Sequence, residues 1–482
     1  MGVLLSRLLL DDAPLPPSGD VMISGITADS REVKPGFLFA ALPGVKVDGS
    51  AFIDQAIKAG AVAVVCGRGV SGNVISVENP RRMLALVASR FYENQPDTVV
   101  AVTGTNGKTS VAVFVRQIWA ALGFRAASLG TIGVVGPDGS EYLAHTTPDP
   151  VKLAMLLAKM SDDHIDHLAI EASSHGLEQH RLDGVRLTAG GFTNITRDHL
   201  DYHLTFENYF AAKMRLFDRL LPAGAAAVVN MDSPQASDVV HHVERAGLRP
   251  FTVGRNGQDL KLLQAKQDGL EQHLKLQTAV GIFDVALPLV GEFQVSNALV
   301  AAGLVIASGG ETSLVLHALE SLKGAKGRLE LVGVSSSGGS IFVDYAHTPD
   351  ALENVLQTLR ASTTGKVIVA FGCGGDRDKG KRPLMGAIAA RLADYVIVTD
   401  DNPRSENAAQ IRQEVLVGAS GANEIGDRAK AIAGGIAMLR LGDVFLIAGK
   451  GHEEGQIVGS KTLPFSDHDA VKAALQGEDY HG

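Results

Sequence analysis

One seven-residue stretch limits what this chain can fold into more than any other. Thr103-Gly104-Thr105-Asn106-Gly107-Lys108-Thr109 lies between an apolar run, Val99-Val100-Ala101-Val102, and an apolar-periodic stretch from Ser110 to Leu122. The run reads as a buried strand and the periodic stretch as a helix. A glycine turn between strand and helix lets several backbone N–H groups face one anion at the positive end of the helix. A lysine after the second glycine reaches β- and γ-phosphates, and the adjacent hydroxyl ligates Mg²⁺. Gly104, Thr105, Asn106, Gly107, Lys108, Thr109 and Ser110 are therefore the candidate phosphate loop. The common spacing would put the first glycine at 102, where this chain has Val102. A tight turn that binds nothing is the alternative; Gly-Lys-Thr at a helix start argues against it.

The rest of the chain repeats the strand–helix rhythm. Leu168-Ala169-Ile170, ending at Glu171, and Ala226–Asn230 read as further strands. From about 330, strands are predicted at 341–343, 367–370, 395–398 and 444–447. Each runs into a polar loop: DYAHTPD, GCGGDRDKGKRP, TDDNPRSE and GKGHEEGQ. Alternation of this kind favours parallel sheets covered on both faces, with ligands at the carboxyl ends of the strands. Four such loops in one segment point to one shared site. Short apolar pieces before residue 95 predict a small α/β domain, with a helix over 52–58. At ~150 residues per domain, 482 residues make about three. The expected fold is α/β in three domains, 1–95, 96–329 and 330–482.

Composition narrows the function. Lys plus Arg is 44 against 53 Asp plus Glu, a formal charge of −9, so no global field favours nucleic acid or an anionic membrane. With 45% apolar and 20% charged residues the chain is globular, not disordered. Cys66 and Cys373, the two cysteines, cannot build a disulfide scaffold. The leucine cluster of MGVLLSRLLLDDAP lacks a cleavage site, and no apolar run reaches the ~18 residues of a membrane span. A cytoplasmic, monomeric protein with small-molecule partners is expected.

Further segments share one pattern: D-S-R at 29–31, E-A-S-S-H-G-L at 171–177, N-I-T-R-D-H-L-D-Y-H at 194–203, D-Y-A-H-T-P at 344–349, G-C-G-G-D-R-D at 372–378, D-N-P-R at 401–404 and G-K-G-H-E at 449–453. With T-G-T-N-G-K-T-S they resemble the Mur ligases, in the branch that adds the third residue of the peptidoglycan stem peptide. The resemblance implies a UDP-binding N-terminal domain, a central ATPase domain and a C-terminal Rossmann-like domain. It also implies ATP-driven addition of meso-2,6-diaminopimelate to UDP-N-acetylmuramoyl-L-alanyl-D-glutamate through an acyl phosphate.

The same resemblance assigns the site residues. Lys108, Glu171, His199 and Lys213 are implied catalytic residues. Thr109, Glu171, His199 and Lys213, the last as a carbamate, are implied to hold Mg²⁺, two ions in all. Without the resemblance, Lys213 reads as a helix lysine with a solvated head and His199 as structural. Asn297, Arg328 and Asp344 join the ATP set, with Tyr345 and His347 on a loop expected to close on ATP. Ser30, the loop Val45-Lys46-Val47, Thr146, Thr147, Ser173, Gln179 and Arg181 match the nucleotide-sugar positions. Selecting a diacid over lysine needs a cation aimed at the extra carboxylate, because lysine would leave it unpaired. Arg404 fits that role, Arg377 resembles a second clamp, and Asp401, Asn402, Pro403, Gly449 and Glu453 complete the set. Rivals are lysine addition, a folate–glutamate ligase, a P-loop ATPase or kinase without an amino-acid acceptor, and a nucleotide-sugar binding protein without turnover.

Overall fold

Several helices begin where a capping side chain meets a proline. Asn79, Asp149 and Thr348 each accept a first-turn backbone N–H, and Pro80, Pro150 and Pro349 follow as the first helical residue. Proline sacrifices nothing there, because that N–H has no partner within the helix. The computed structural model describes residues 2–44, 48–70, 72–143 and 145–480. They form two compact units: 1–262 with 277–281 and 296–318, and 263–276 with 282–295 and 319–482.

Two sheets of the first unit position the site, beside a small antiparallel pair, Val3–Leu4 with Met22–Ile23. Strands β1 (Gly25–Thr27), β2 (Phe37–Ala41), β3 (Ala63–Gly67) and β4 (Ile75–Val77) are parallel neighbours in that order. Helix α1 (Pro80–Tyr92) buries Met83, Leu84, Val87 and Ala88 in a core with Leu38 and Val65. The helix expected over 52–58 is a 3₁₀ turn at Gly49–Phe52 followed by a short α-helix, Ile53–Lys58.

The second sheet of this unit carries the phosphate loop. Its elements are β5 (Thr98–Thr103), α2 (Lys108–Ala121), β6 (Ala126–Gly130), α3 (Pro150–Asp162), β7 (His167–Glu171), α4 (Ser174–Glu178), β8 (Ala189–Phe192), α5 (Phe206–Arg215), β9 (Ala226–Asn230) and β10 (Arg249–Gly254). The strand order β6-β7-β5-β8-β9-β10 is parallel throughout. Val99 to Val102 are all buried, as strands covered on both faces require. Chain order reverses at β5, whose neighbours are β7 and β8. Glu171 is level with Val102 and Phe192 with Thr103, so three loops leave the sheet side by side at the switch point. Helix α6 (Glu292–Ala307) follows later in the chain.

In the second unit, β11 (Glu330–Val334) pairs antiparallel with β12 (Ser340–Asp344). Then come α7 (Pro349–Ser362), β13 (Val367–Phe371), α8 (Lys381–Leu392), β14 (Tyr395–Val398), α9 (Ala408–Leu416), β15 (Asn423–Glu424), α10 (Arg428–Met438) and β16 (Val444–Ala448). The order is β11-β12-β16-β13-β14-β15, parallel from β12 onward. The four strands predicted to carry polar loops are thus adjacent and end level: Asp344 and Phe371 both face Ala448, and Phe371 faces Val398. A buried ion pair, Arg428–Asp467 at 2.7 Å, ties α10 to the last helix, α11 (Asp467–Gln476).

Candidate active site

The phosphate loop leaves β5 through Gly104 (φ +151°) and enters α2 through Gly107 (φ +86°), a left-handed N-cap that starts the helix at Lys108. A Cβ on Gly104 would lie 1.9 Å from Thr193 Oγ1, and one on Gly107 2.2 Å from Asn297 Oδ1, so only glycine fits either position. Thr109 and Ser110 are buried in the first helical turn. The loop after β8 cradles this turn. Thr193 Oγ1 donates to Asn106 O at 2.6 Å, and Asn194 Oδ1 accepts from Asn106 N at 3.0 Å. Thr105 Oγ1 meets Tyr209 OH at 3.0 Å.

Two lysine side-chain nitrogens converge on one carbonyl. Lys108 Nζ donates to Gly104 O at 2.9 Å and Thr105 O at 2.8 Å, and Lys213 Nζ donates to the same Gly104 O at 2.7 Å. Lys213 is 1% exposed, with Nζ 4.3 Å from the Tyr209 ring centre. The solvated head expected of an ordinary helix lysine is therefore corrected. The face of α5 that carries Lys213 turns inward onto the phosphate loop, which one helix's periodicity does not show. Burial first, then the neighbouring Lys108 charge, push the Lys213 pKa well below that of a free lysine; Asp198 opposes them.

Glu171 closes β7 at 1% exposure. Its carboxylate accepts from Thr131 N at 2.7 Å and Thr131 Oγ1 at 3.2 Å, and Thr131 Oγ1 meets Thr146 Oγ1 at 3.1 Å. Thr147 Oγ1 donates to Glu171 O at 2.9 Å and lies 3.0 Å from Ser173 Oγ, which caps α4. Arg181 Nη1 donates to Thr147 O at 2.6 Å and Nη2 to Gln179 Oε1 at 2.7 Å. Thr146, Thr147, Ser173, Gln179 and Arg181 thus form one hydrogen-bonded chain that starts at Glu171. His199 (φ +52°) is half-exposed, with its ring 5.0 Å from that of His175. Ser30 is in the turn after β1, where Arg31 Nε donates to Asp29 Oδ1 at 2.8 Å. Val45-Lys46-Val47 lies outside the described residues.

The second unit gathers the other candidates. Arg404 (φ +51°) donates through Nη1 to Gly375 O at 2.9 Å. A Cβ on Gly374 would stand 2.7 Å from that nitrogen and 3.9 Å from Arg377 Cγ, so both arginines flank one glycine. A Cβ on Gly375 would lie 1.9 Å from Pro403 O. Asn402 Nδ2 donates to Glu453 Oε2 at 2.9 Å, while Asn402 Oδ1 accepts from Ile457 N at 2.9 Å and Lys450 Nζ at 3.1 Å. The Asn402 amide is thus spent on holding the loops. Asp401 is buried, which pushes its carboxyl pKa up, and its Oδ2 would meet a Cβ on Gly449 at 2.6 Å. Asp344 accepts from Leu329 N at 2.6 Å and Ala346 N at 2.7 Å, clasping the segment that bears Arg328 to its own loop. The Arg328 guanidinium lies 5.0 Å from the centre of the Tyr345 ring. His347 Nδ1 bonds Tyr345 O at 2.8 Å.

Sequence reasoning passed over Thr131, Asn194 and Lys450. Each stands inside or beside a motif: Thr131 after the glycine that ends β6, Asn194 at the head of N-I-T-R-D-H, and Lys450 between two glycines. Lys450 is fully buried and also donates to Glu453 Oε2 at 3.2 Å and Gly455 O at 2.6 Å. Gly449 (φ +114°) and Gly451 (φ +54°) turn the backbone so that it points inward. Among the described residues no group of three or more His, Cys, Asp or Glu side chains gathers as a metal site, and no helix is long and apolar enough to cross a membrane.

Comparison with known proteins covers nearly the whole chain. Residues 22–92 match the Mur ligase family catalytic domain, 102–305 the Mur ligase middle domain, and 327–451 the Mur ligase glutamate ligase domain. The UDP-N-acetylmuramoyl-L-alanyl-D-glutamate–2,6-diaminopimelate ligase of Agrobacterium fabrum is 57% identical over 473 residues, 98% of this chain and 96% of that protein. The Brucella melitensis enzyme of that name is 55% identical over 95% of both chains. A solved structure of a ligase of that name superposes with a TM-score of 0.75 at 33% identity, covering 99% of both chains.

Proposed function

The chain belongs to the Mur ligase family, and we propose that it uses ATP to join meso-2,6-diaminopimelate to UDP-N-acetylmuramoyl-L-alanyl-D-glutamate in peptidoglycan precursor synthesis. The observation that carries the chemistry is the convergence of Lys108 and Lys213 on Gly104 O at the head of α2, beside loops that bear Glu171 and Asn194. Phosphoryl transfer between two anions needs positive charge, which Lys108 supplies and a carboxylated Lys213 would support only by holding Mg²⁺, and fixed geometry more than covalent participation.

In the reaction, an oxygen of the D-glutamate carboxylate bonds to the γ-phosphorus of ATP, and the bond to ADP breaks. The amine of diaminopimelate then attacks the acyl carbon, loses a proton, and phosphate leaves. Lys108 and the N–H groups of Gly107 to Ser110 hold the phosphates; Asn297, Arg328 and Asp344 belong to the same nucleotide set. Thr109, Glu171, His199 and carboxylated Lys213 would hold Mg²⁺. Their oxygen-rich donor set suits that ion, whereas an ammonium at Lys213 would repel it. Held by those residues, the ion would supply charge neutralisation for the transferring phosphoryl group. The depressed Lys213 pKa supports this reading, because only a neutral amine takes up CO₂.

Ser30, Thr146, Thr147, Ser173, Gln179 and Arg181 are assigned to the UDP-sugar peptide. Arg404 and Arg377 are assigned to the carboxylates of diaminopimelate, with Glu453 for its distal ammonium and Asp401, Asn402, Pro403 and Gly449 shaping the loops. Domains over 1–95, 96–329 and 330–482 divide these tasks. ATP and a UDP-sugar are cytoplasmic metabolites, so the enzyme is assigned there, as a monomer.

The test offers purified protein ATP, the UDP-dipeptide and either meso-diaminopimelate or L-lysine. Phosphate release and a UDP-tripeptide mass are expected only with the diacid. ATP turnover without an amino acid, or equal use of lysine, would overturn the proposal. Replacing Arg404 by Ala should raise KM for diaminopimelate at least about tenfold, roughly 1.4 kcal/mol.

A further inference from the structure

The loops that bear Arg377 and Arg404 leave different strands, β13 and β14, and the backbone of Arg404 is itself pinned by a single parallel bridge to Val458, its N donating to Ile457 O at 3.0 Å and its O accepting from Gly459 N at 2.7 Å. Both loops contain a strained residue: Asp376 at φ +55° and Arg404 at φ +51°. Non-glycine residues stay in that region only where surrounding contacts over-determine them. Besides the direct bonds between the loops, a fully buried side chain meets both: Arg382, in the first turn of α8. Its Nη1 donates to Glu406 Oε2 at 3.0 Å and Glu414 Oε2 at 2.7 Å, and its Nη2 to Glu406 Oε1 at 3.0 Å and Gly374 O at 3.3 Å. Glu406 Oε1 also accepts from Asp376 N at 2.6 Å. Asp376 in turn takes Ser405 Oγ at 2.5 Å and Ser405 N at 3.2 Å. One guanidinium therefore grips the Gly374–Asp376 turn both directly and through Glu406, two residues beyond Arg404.

We infer that Arg382, acting through Glu406, is a positioning residue that fixes the spacing of Arg377 and Arg404 and so sets discrimination between the diacid and lysine. The inference rests on the assignment of those two arginines to diaminopimelate. A fork bonded bidentately to one carboxylate transmits geometry, not only charge. The Arg382–Glu414 bond, by contrast, only joins two helices, α8 and α9. Burial of the pair is by itself weak evidence of stabilisation, so the test reads specificity.

Glu406→Gln keeps the shape of the side chain, and Glu414→Gln is its structural control. In folded protein, Glu406→Gln should raise KM for diaminopimelate at least about fivefold and lower the preference over lysine by a similar factor. KM for ATP should stay within about twofold. Arg382→Met should do the same; if it fails to fold, Glu406→Gln carries the test alone. Glu414→Gln should leave the preference over lysine unchanged. Arg404→Ala is measured alongside. If it raises KM for diaminopimelate and folded Glu406→Gln does not, the positioning role is refuted. An equal loss of preference in Glu414→Gln would refute it too. If Arg404→Ala is itself without effect, the assignment beneath it falls instead.

Discussion

Replacing Lys450 by methionine removes a charge that nothing in its buried surroundings can replace. The ammonium has three acceptors: Gly455 O at 2.6 Å, Asn402 Oδ1 at 3.1 Å and Glu453 Oε2 at 3.2 Å. Asn402 Oδ1 keeps Ile457 N, and Glu453 Oε2 keeps Asn402 Nδ2, so those two losses are partial. Gly455 O, only partly buried, loses its 2.6 Å bond to Lys450, and the loss of such an acceptor's partner costs about 1–2 kcal/mol, toward the lower end of the buried range. The Glu453 side chain is 33% exposed, so water screens its lost partner and the charge term adds about 1 kcal/mol. The sum, about 2–3 kcal/mol, corresponds to a fall of roughly 4–12 °C in the melting transition of a unit of this size. Because Asn402 and Glu453 lose their common anchor, KM for diaminopimelate should also rise about tenfold. The assay is calorimetry beside steady-state kinetics. Adding Glu453→Gln should restore part of the melting temperature, since the uncompensated carboxylate is then gone. A shift under about 2 °C with unchanged KM would refute this account of Lys450.

Lys213→Ala should abolish ligation, and a small carboxylate such as formate should restore part of it by standing in for the carbamate; full activity in the variant would end that reading. Gly107→Ala forces a side chain into φ +86° against Asn297 Oδ1 and should cost about 1 kcal/mol or more of stability, with a raised KM for ATP read in the same preparations. His452 supplies a pH signature. Burial first, then Arg328 and Lys326, hold its pKa down at about 4, while Glu453 and Glu454 oppose them. Its unfolded value is about 6.5, so between those pH values the unfolded chain binds more protons. Stability from neutral His452 is therefore full above about pH 6.5 and lost as pH falls toward 4. Denaturant titrations across that window should show a shallower slope in His452→Asn, provided the variant folds.

Much of this molecule was legible as local pattern. Val99 to Val102 announce a strand buried on both faces, since a parallel sheet covered by helices leaves no polar side to alternate with. Asn79-Pro80, Asp149-Pro150 and Thr348-Pro349 start helices through capping chemistry that acts over three residues, a local signal that sequence reasoning passed over. Gly104 and Gly107 bend the phosphate loop because no other residue fits their angles and neighbours. The four polar loops of the last segment were readable as strand ends, and the parallel order β12-β16-β13-β14 puts them side by side.

What tertiary structure alone decided is which side chains lose water and whom they then meet. Lys213 and Lys450 are ordinary lysines to a periodicity argument. One helix face and one pair of glycines carry them out of solvent, where Lys213 meets Gly104 O and Lys450 meets Asn402 of another loop as well as Glu453 and Gly455 of its own. Arg382 meets Glu406 and Gly374 for the same reason. Local pattern acts through the dihedral angles and caps of a few consecutive residues, so it can be read one segment at a time. Burial and charge pairing depend on where separate segments come to rest, and that is fixed only when the sheets assemble.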